Sequence, residues 1–191
     1  MNLRFSSIEK QDILKAWFAI SLAFAILLTR NFSSFFLNFI ISIFTVGLGF
    51  LIHELAHKYF AQKYRCFAEF RADNKMLLIA VVSSFFGFIF AAPGGVIING
   101  FVDRKKYALI AAAGPITNIL LAIIFLLSNN FLQLVSLQKF FSFGFSINSW
   151  LALFNLIPIF PFDGEKIVKG NKKLYFALVM VAFSLFILPY L

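Results

Sequence analysis

MLLIAVVSSFFGFIFAAPGGVIINGF, residues 76–101, is the stretch that decides how this chain is folded. Met76 to Ala92 is apolar and long enough for a helix of roughly 25 Å, and Pro93-Gly94-Gly95 then breaks it. Val96-Ile97-Ile98-Asn99-Gly100-Phe101-Val102 is short and β-branched, and predicts an extended segment that climbs back at about 3.3 Å per residue. Bare strand edges are not tolerated in lipid, so this segment must pack against protein or line a wet cavity. Five further apolar runs surround it, at 13–29, 35–61, 107–128, 140–162 and 174–191. If 76–101 enters and leaves on one side, fifteen Lys and Arg share one face and only Arg30 and Lys139 lie opposite. A single crossing would instead split them nine to eight, with no bias at all. The chain is therefore expected to be an all-α polytopic membrane protein, with about five transmembrane helices plus a re-entrant helix and β-strand loop. The same bias puts the N-terminus and the basic face on the cytoplasmic side of the cell membrane.

Composition agrees with this class. The 191 residues are 61% hydrophobic and 13% charged, with 29 phenylalanines and a mean hydropathy of +0.91. A soluble domain of this size does not need so much apolar surface. The net charge of +9 is carried by short clusters at the ends of apolar runs, which marks topology and not nucleic-acid binding. The lone cysteine, Cys66, excludes an intrachain disulfide. In the first run, the small-x-small triplet Ala23-Phe24-Ala25 falls inside the apolar stretch and Arg30 follows it, so a retained span is expected in place of a signal peptide. One domain, 1–191, is expected to hold all the spans.

Both histidines of the chain fall in His53-Glu54-Leu55-Ala56-His57. On a helix, four residues advance about 6 Å and return to nearly the same face, so two imidazoles at i and i+4 can reach one metal ion. Glu54, one step round, can touch a metal-bound water without being a ligand. A catalytic zinc takes three protein ligands and one open position. With both histidines used, the third ligand is an acid or Cys66, and among the acids Asp163 stands out in Asn155-Leu156-Ile157-Pro158-Ile159-Phe160-Pro161-Phe162-Asp163-Gly164, where two prolines interrupt a helix as it leaves the membrane. The re-entrant topology puts Asp163 on the face that holds His57, whereas the single-crossing topology would separate them.

These strings, in this order, together with Ala113-Gly114-Pro115 and Asn118 and the Gly94-Gly95 loop, make the chain resemble the site-2 protease family of intramembrane zinc metalloproteases. The resemblance implies one Zn²⁺ held by His53, His57 and Asp163, Glu54 as the catalytic acid and base, and Asn155 as a group that polarises the scissile carbonyl or holds an intermediate. Gly114, Pro115, Asn118, Pro158, Pro161 and Gly164 complete its motifs. A longer apolar insertion between the zinc helix and the Gly94-Gly95 loop sets this chain apart from better-known members. The expected substrates are transmembrane helices of other proteins that unwind locally, pairing as a strand beside Gly94, Gly95, Val96 and Ile98. Lipid bilayer and protein substrate are the expected partners, with no nucleic acid. Two other readings stand beside this one. A membrane zinc transporter or metal sensor would carry ionisable groups across its spans, and 13–29 and 174–191 hold almost none. An inactive relative that only binds membrane proteins would not need the intact catalytic set.

Overall fold

A computed structural model describes residues 3–89, 93–132 and 134–190. Helix α1 (Ser7–Leu28) starts at Ser6, whose hydroxyl accepts the Glu9 N–H. The second helical run is one rod in three parts: α2 (Phe35–Ser42), a π turn (Ile43–Gly47) and α3 (Leu48–Lys63), which carries the two histidines. Trp17 of α1 donates its indole N–H to Ile43 O at that π turn, 3.1 Å, a second bond on a carbonyl that also accepts the Leu48 N–H. Beyond α3 come strand β1 (Phe67–Ala72), helix α4 (Asn74–Ser84) and strand β2 (Gly94–Asn99). Then follow α5 (Arg104–Leu132), α6 (Gln138–Asn155), α7 (Asp163–Gly170) and α8 (Lys172–Ile187).

Among the described residues, four helical stretches are long and apolar enough to cross a membrane: Ser7–Leu28, Phe32–Lys63, Arg104–Leu132 and Lys172–Tyr190. The expected fifth span, 140–162, is α6, which ends at Asn155 and is more polar because Asn148 and Ser149 turn inward and are buried. The packing is that of a protein in lipid. Small residues line the helix contacts, among them Ala111, Ala112, Ala152 and Ala182, while bulky ones such as Phe36, Phe131, Phe176 and Met180 face outward.

The segment 76–101 departs from expectation in two ways. Its helix, α4, stops at Ser84 and not near Ala92; a turn with Gly87 at φ +85° follows. Residues 90–92 of the expected helix lie outside the described residues. The returning segment is a strand, as expected, and its partner is β1, a strand that the sequence reading did not anticipate. The pairing is antiparallel, Phe67 opposite Asn99 through Ala72 opposite Gly94. One edge of the strand is thereby satisfied by protein, as burial in or near lipid demands.

Candidate metal centre

Helix α3 points His53 and His57 the same way, with Nε2 atoms 3.0 Å apart. Asp163, the first residue of α7, brings Oδ2 to 3.3 Å from His53 Nε2 and 3.0 Å from His57 Nε2. All three side chains are buried. A tetrahedral zinc at its usual bond length of about 2.0–2.1 Å separates its ligands by about 3.3 Å, close to the sides of this triangle. Among the described residues no other set of three His, Cys, Asp or Glu side chains comes together in this way.

The hydrogen bonds behind the imidazoles decide what faces inward. His57 Nδ1 lies 2.8 Å from the Ile110 carbonyl, which can only accept, so Nδ1 carries the proton. His53 Nδ1 lies 2.6 Å from Asn118 Oδ1. The Asn118 amide donates to Gly49 O, 3.3 Å, and to Asn148 Oδ1, 3.0 Å, and Asn148 donates in turn to Gly144 O, 2.9 Å. Because that chain ends on a backbone carbonyl, every amide in it is oriented and His53 must donate from Nδ1. Both Nε2 lone pairs and a carboxylate oxygen thus converge on one point, three Lewis bases that a cation would satisfy. Gly114 of α5 keeps that point open: a Cβ there would lie 2.5 Å from both Nε2 atoms. The residues fit a divalent metal.

Asp163 reaches the histidines because of the turn before it. Leu156 ends α6, Pro158 and Pro161 lie exposed in the connection, and α7 starts at Asp163. Gly164 packs directly on the end of α6, where a Cβ would meet Leu156 O at 2.2 Å. Burial opposes the charge of the Asp163 carboxylate, but in the metal-free chain protons on the neighbouring imidazole Nε2 atoms overcome it and hold its pKa well below the usual carboxylate range, positive charge that a metal would supply in their place. Its second oxygen accepts from Lys166 Nζ at 3.1 Å. Burial likewise works against the Lys166 ammonium, and the Asp163 charge prevails, raising its pKa above that of an ordinary lysine.

Glu54 does not join the metal group; its Oε2 accepts the Val96 N–H of β2 at 3.1 Å. Across the sheet, Phe70 faces Val96 and sends its own N–H outward to Glu9 Oε1, 2.9 Å. This rung therefore belongs to the non-hydrogen-bonded set of the ladder, and by alternation Gly94, Val96 and Ile98 turn their backbone groups to the free edge of β2. Gly95 leaves the space over Glu54 clear, its Cβ position 4.0 Å from Oε2. Asn155 is half-buried at the end of α6 and donates one amide N–H to Leu151 O, 2.9 Å. Pro115 lies inside α5 one turn beyond Ile110, whose carbonyl holds His57. Lys166 and Asn148 were not singled out by the sequence. The signal for Lys166 is its i+3 spacing from Asp163; for Asn148 it is a lone amide in an apolar helix.

Apolar helices around a buried His-His-Asp group, with a glutamate next to the first histidine, define a candidate membrane metalloprotein. Relatives give the family. The chain is 42% identical over 171 residues to "Putative zinc metalloprotease MJ0611" of Methanocaldococcus jannaschii, covering 88% of this chain and 87% of that protein. It is 30% identical over 149 residues to "Putative zinc metalloprotease YwhC" of Bacillus subtilis, covering 66% and 67%. It also matches "Zinc metalloprotease MJ0392" of M. jannaschii at 29% over 121 residues, 31% of that longer protein. No family model and no solved structure matches it. The chain belongs to this family of zinc metalloproteases, and its apolar helices make it a membrane metalloprotease.

Proposed function

We propose that this chain is an intramembrane zinc endopeptidase of the site-2 protease type, hydrolysing peptide bonds in or near transmembrane segments of other proteins, with its site open to the cytoplasm. The observation that carries this is the convergence of His53, His57 and Asp163 on one point, with Glu54, next to His53 on α3, hydrogen-bonded to the free edge of β2. Zinc, when bound there, polarises the oxygen atoms it touches and makes water acidic near neutral pH. The chain does the rest. Glu54 takes a proton from water and passes it to the departing amine. The backbone of Gly94, Val96 and Ile98 offers an unwound substrate a strand to pair with, nearly independent of its side chains. In the free chain Glu54 accepts the Val96 N–H, the group an added strand would claim, so substrate pairing releases the carboxylate for its work. Asn155, with a second amide N–H that has no partner among the described residues, donates to the carbonyl oxygen as it gains charge.

The orientation rests on charge. Arg4, Lys10, Lys58, Lys63, Arg65 and Arg71 gather where the start of α1 meets the end of α3 and β1, and Arg104 to Lys106 and Lys166 to Lys173 follow on the same side of the expected topology. The test is Glu54→Gln in purified, zinc-loaded protein with a model transmembrane substrate. Zinc content is expected to hold while cleavage disappears, as it also should for wild type stripped by a chelator. Undiminished cleavage by the variant would remove the proposed mechanism.

A further inference from the structure

Lys58 follows the second metal histidine directly, and it is fully buried in an ion pair with the equally buried Glu9 of α1. Its ammonium also sits 4.1 Å from the centre of the Phe5 ring. Taking both charges out of water is expensive, and an apolar pair of similar volume is often as stable or more so. The pair has no part in the chemistry above. Its best-attested use elsewhere is to fix register.

The other oxygen of Glu9 shows which register. Glu9 Oε1 accepts the Phe70 N–H on the outer edge of β1, 2.9 Å. Two residues on, the Ala72 N–H reaches Asp12 Oδ2 at 3.5 Å; two residues back, the Ala68 carbonyl accepts from Gln62 Nε2 at 3.3 Å. Ala68, Phe70 and Ala72 are the outward-facing backbone positions of β1, and each is met by a side chain. On α3, Glu54, Lys58 and Gln62 lie at i, i+4 and i+8, one polar stripe on an apolar helix. Glu54 holds Val96 from the free edge of β2, and Lys58, through Glu9, holds its cross-strand partner Phe70 from the opposite edge.

We propose that the first turns of α1 stand in for a third strand: Glu9, locked by Lys58 and flanked by Asp12 and Gln62, closes the outer edge of β1 and sets the β1–β2 pair so that Val96 lies at Glu54. Glu9 and Lys58 are positioning residues. A substrate strand then has one edge to join, that of β2, and one register relative to the general base. This rests on the strand-pairing reading of the proposed function.

The experiment compares two double variants of the full chain in lipid nanodiscs with the wild type. Glu9→Gln/Lys58→Met removes both charges and keeps an oxygen for the Phe70 N–H; Glu9→Leu/Lys58→Met removes that oxygen too. Hydrogen exchange of the Phe70 amide, read without substrate, is expected to speed up about tenfold in the Leu variant and to stay near wild type in the Gln variant. With a transmembrane substrate, mass spectrometry of the products is expected to find one cut bond for wild type and the Gln variant. The Leu variant should add cuts two residues away, since a slip of two keeps every side chain on its face. Equal Phe70 exchange in the two variants overturns the proposal, as does an unchanged cut site with an unchanged KM in the Leu variant. Failure of the proposed function would show differently, as a wild type that cuts nothing while the exchange contrast is still measurable.

Discussion

Helix α3 carries two buried polar clusters side by side, and they are built on opposite principles. Lys58 and Glu9 are one cation and one anion paired with each other, with the Phe5 ring beside the ammonium and the Phe70 N–H on the second carboxylate oxygen. His53, His57 and Asp163 are three bases facing one another, with Lys166 on the far oxygen of the aspartate only. The first cluster is complete as it stands, whereas the second is completed by something positive arriving from outside. Burial alone does not separate a structural group from a functional one, since both clusters are buried. The balance of donors and acceptors does.

The largest effect expected from this contrast is on the closed pair. Lys58→Met alone leaves the Glu9 carboxylate buried without its cation and should destabilise the fold by about 3–5 kcal/mol, whereas Glu9→Gln/Lys58→Met, which removes both charges and keeps an acceptor for the Phe70 N–H, should cost much less. Reversible unfolding of metal-free protein in mixed detergent measures both. His57→Ala in the same assay should cost the metal-free fold much less, because it removes one of three facing bases. A His57→Ala penalty as large as that of Lys58→Met would erase the distinction between the clusters.

Next comes Gly114→Ala. The added methyl group would occupy the space between the two Nε2 atoms, 2.5 Å from each, so zinc affinity should fall more than about a hundredfold while the helices remain. Competition with a chromophoric chelator measures the affinity, and circular dichroism the fold. Full zinc occupancy in this variant would mean that the metal lies elsewhere.

What could be read in the sequence follows the same division. His53, His57 and Asp163 were legible because spacing on one helix and a charge-derived topology both bear on them. Gly114 and Asn118 were legible only through family resemblance, since nothing in a lone Gly or Asn says which neighbour it will meet. Strand β1 was hidden: Ala68, Phe70 and Ala72 alternate with Glu69 and Arg71, a clear period of two, but the stretch is short and charged and lies between the apolar runs. Helix α7 was hidden for a related reason, because Asp163-Gly164 after two prolines has the composition of a turn, although Asp163 and Glu165 in its first turn and Lys169 in its last suit a helix. Glu9 and Lys58 could not have been paired from sequence at all. They are 49 residues apart, and only the packing of α1 on α3 and β1 joins them.

A smaller effect is expected at Lys166. It binds the Asp163 oxygen that faces away from the imidazoles, leaving the other oxygen for the metal. Lys166→Met should free the carboxylate to rotate and lower zinc affinity by about tenfold, with the fold intact. Lys166→Arg, which keeps the charge and a donor, should recover most of the loss. Equal affinities for the Met and Arg variants would reduce Lys166 to a surface charge.

The smallest effect tests how far the orientation of His53 depends on the amides behind it. Asn118 is held by two acceptors, Gly49 O and Asn148 Oδ1, so losing Asn148 leaves it the longer of its two bonds, 3.3 Å against 3.0 Å. Asn148→Leu should therefore weaken zinc binding only several-fold, less than Asn118→Leu, which strips His53 Nδ1 of its acceptor and should cost about ten- to a hundredfold. If the amides act as one relay, the double variant should be no worse than Asn118→Leu alone, because Asn148 can reach the metal only through Asn118. Nitrogen-15 spectra of the histidine rings give a second reading: the Nδ1–H form of His53 should remain dominant in Asn148→Leu and become mixed in Asn118→Leu. Additive losses in the double variant would mean that Asn148 supports the site by packing against Gly49, where it already lies too close for any side chain larger than hydrogen, and not through the hydrogen-bond chain.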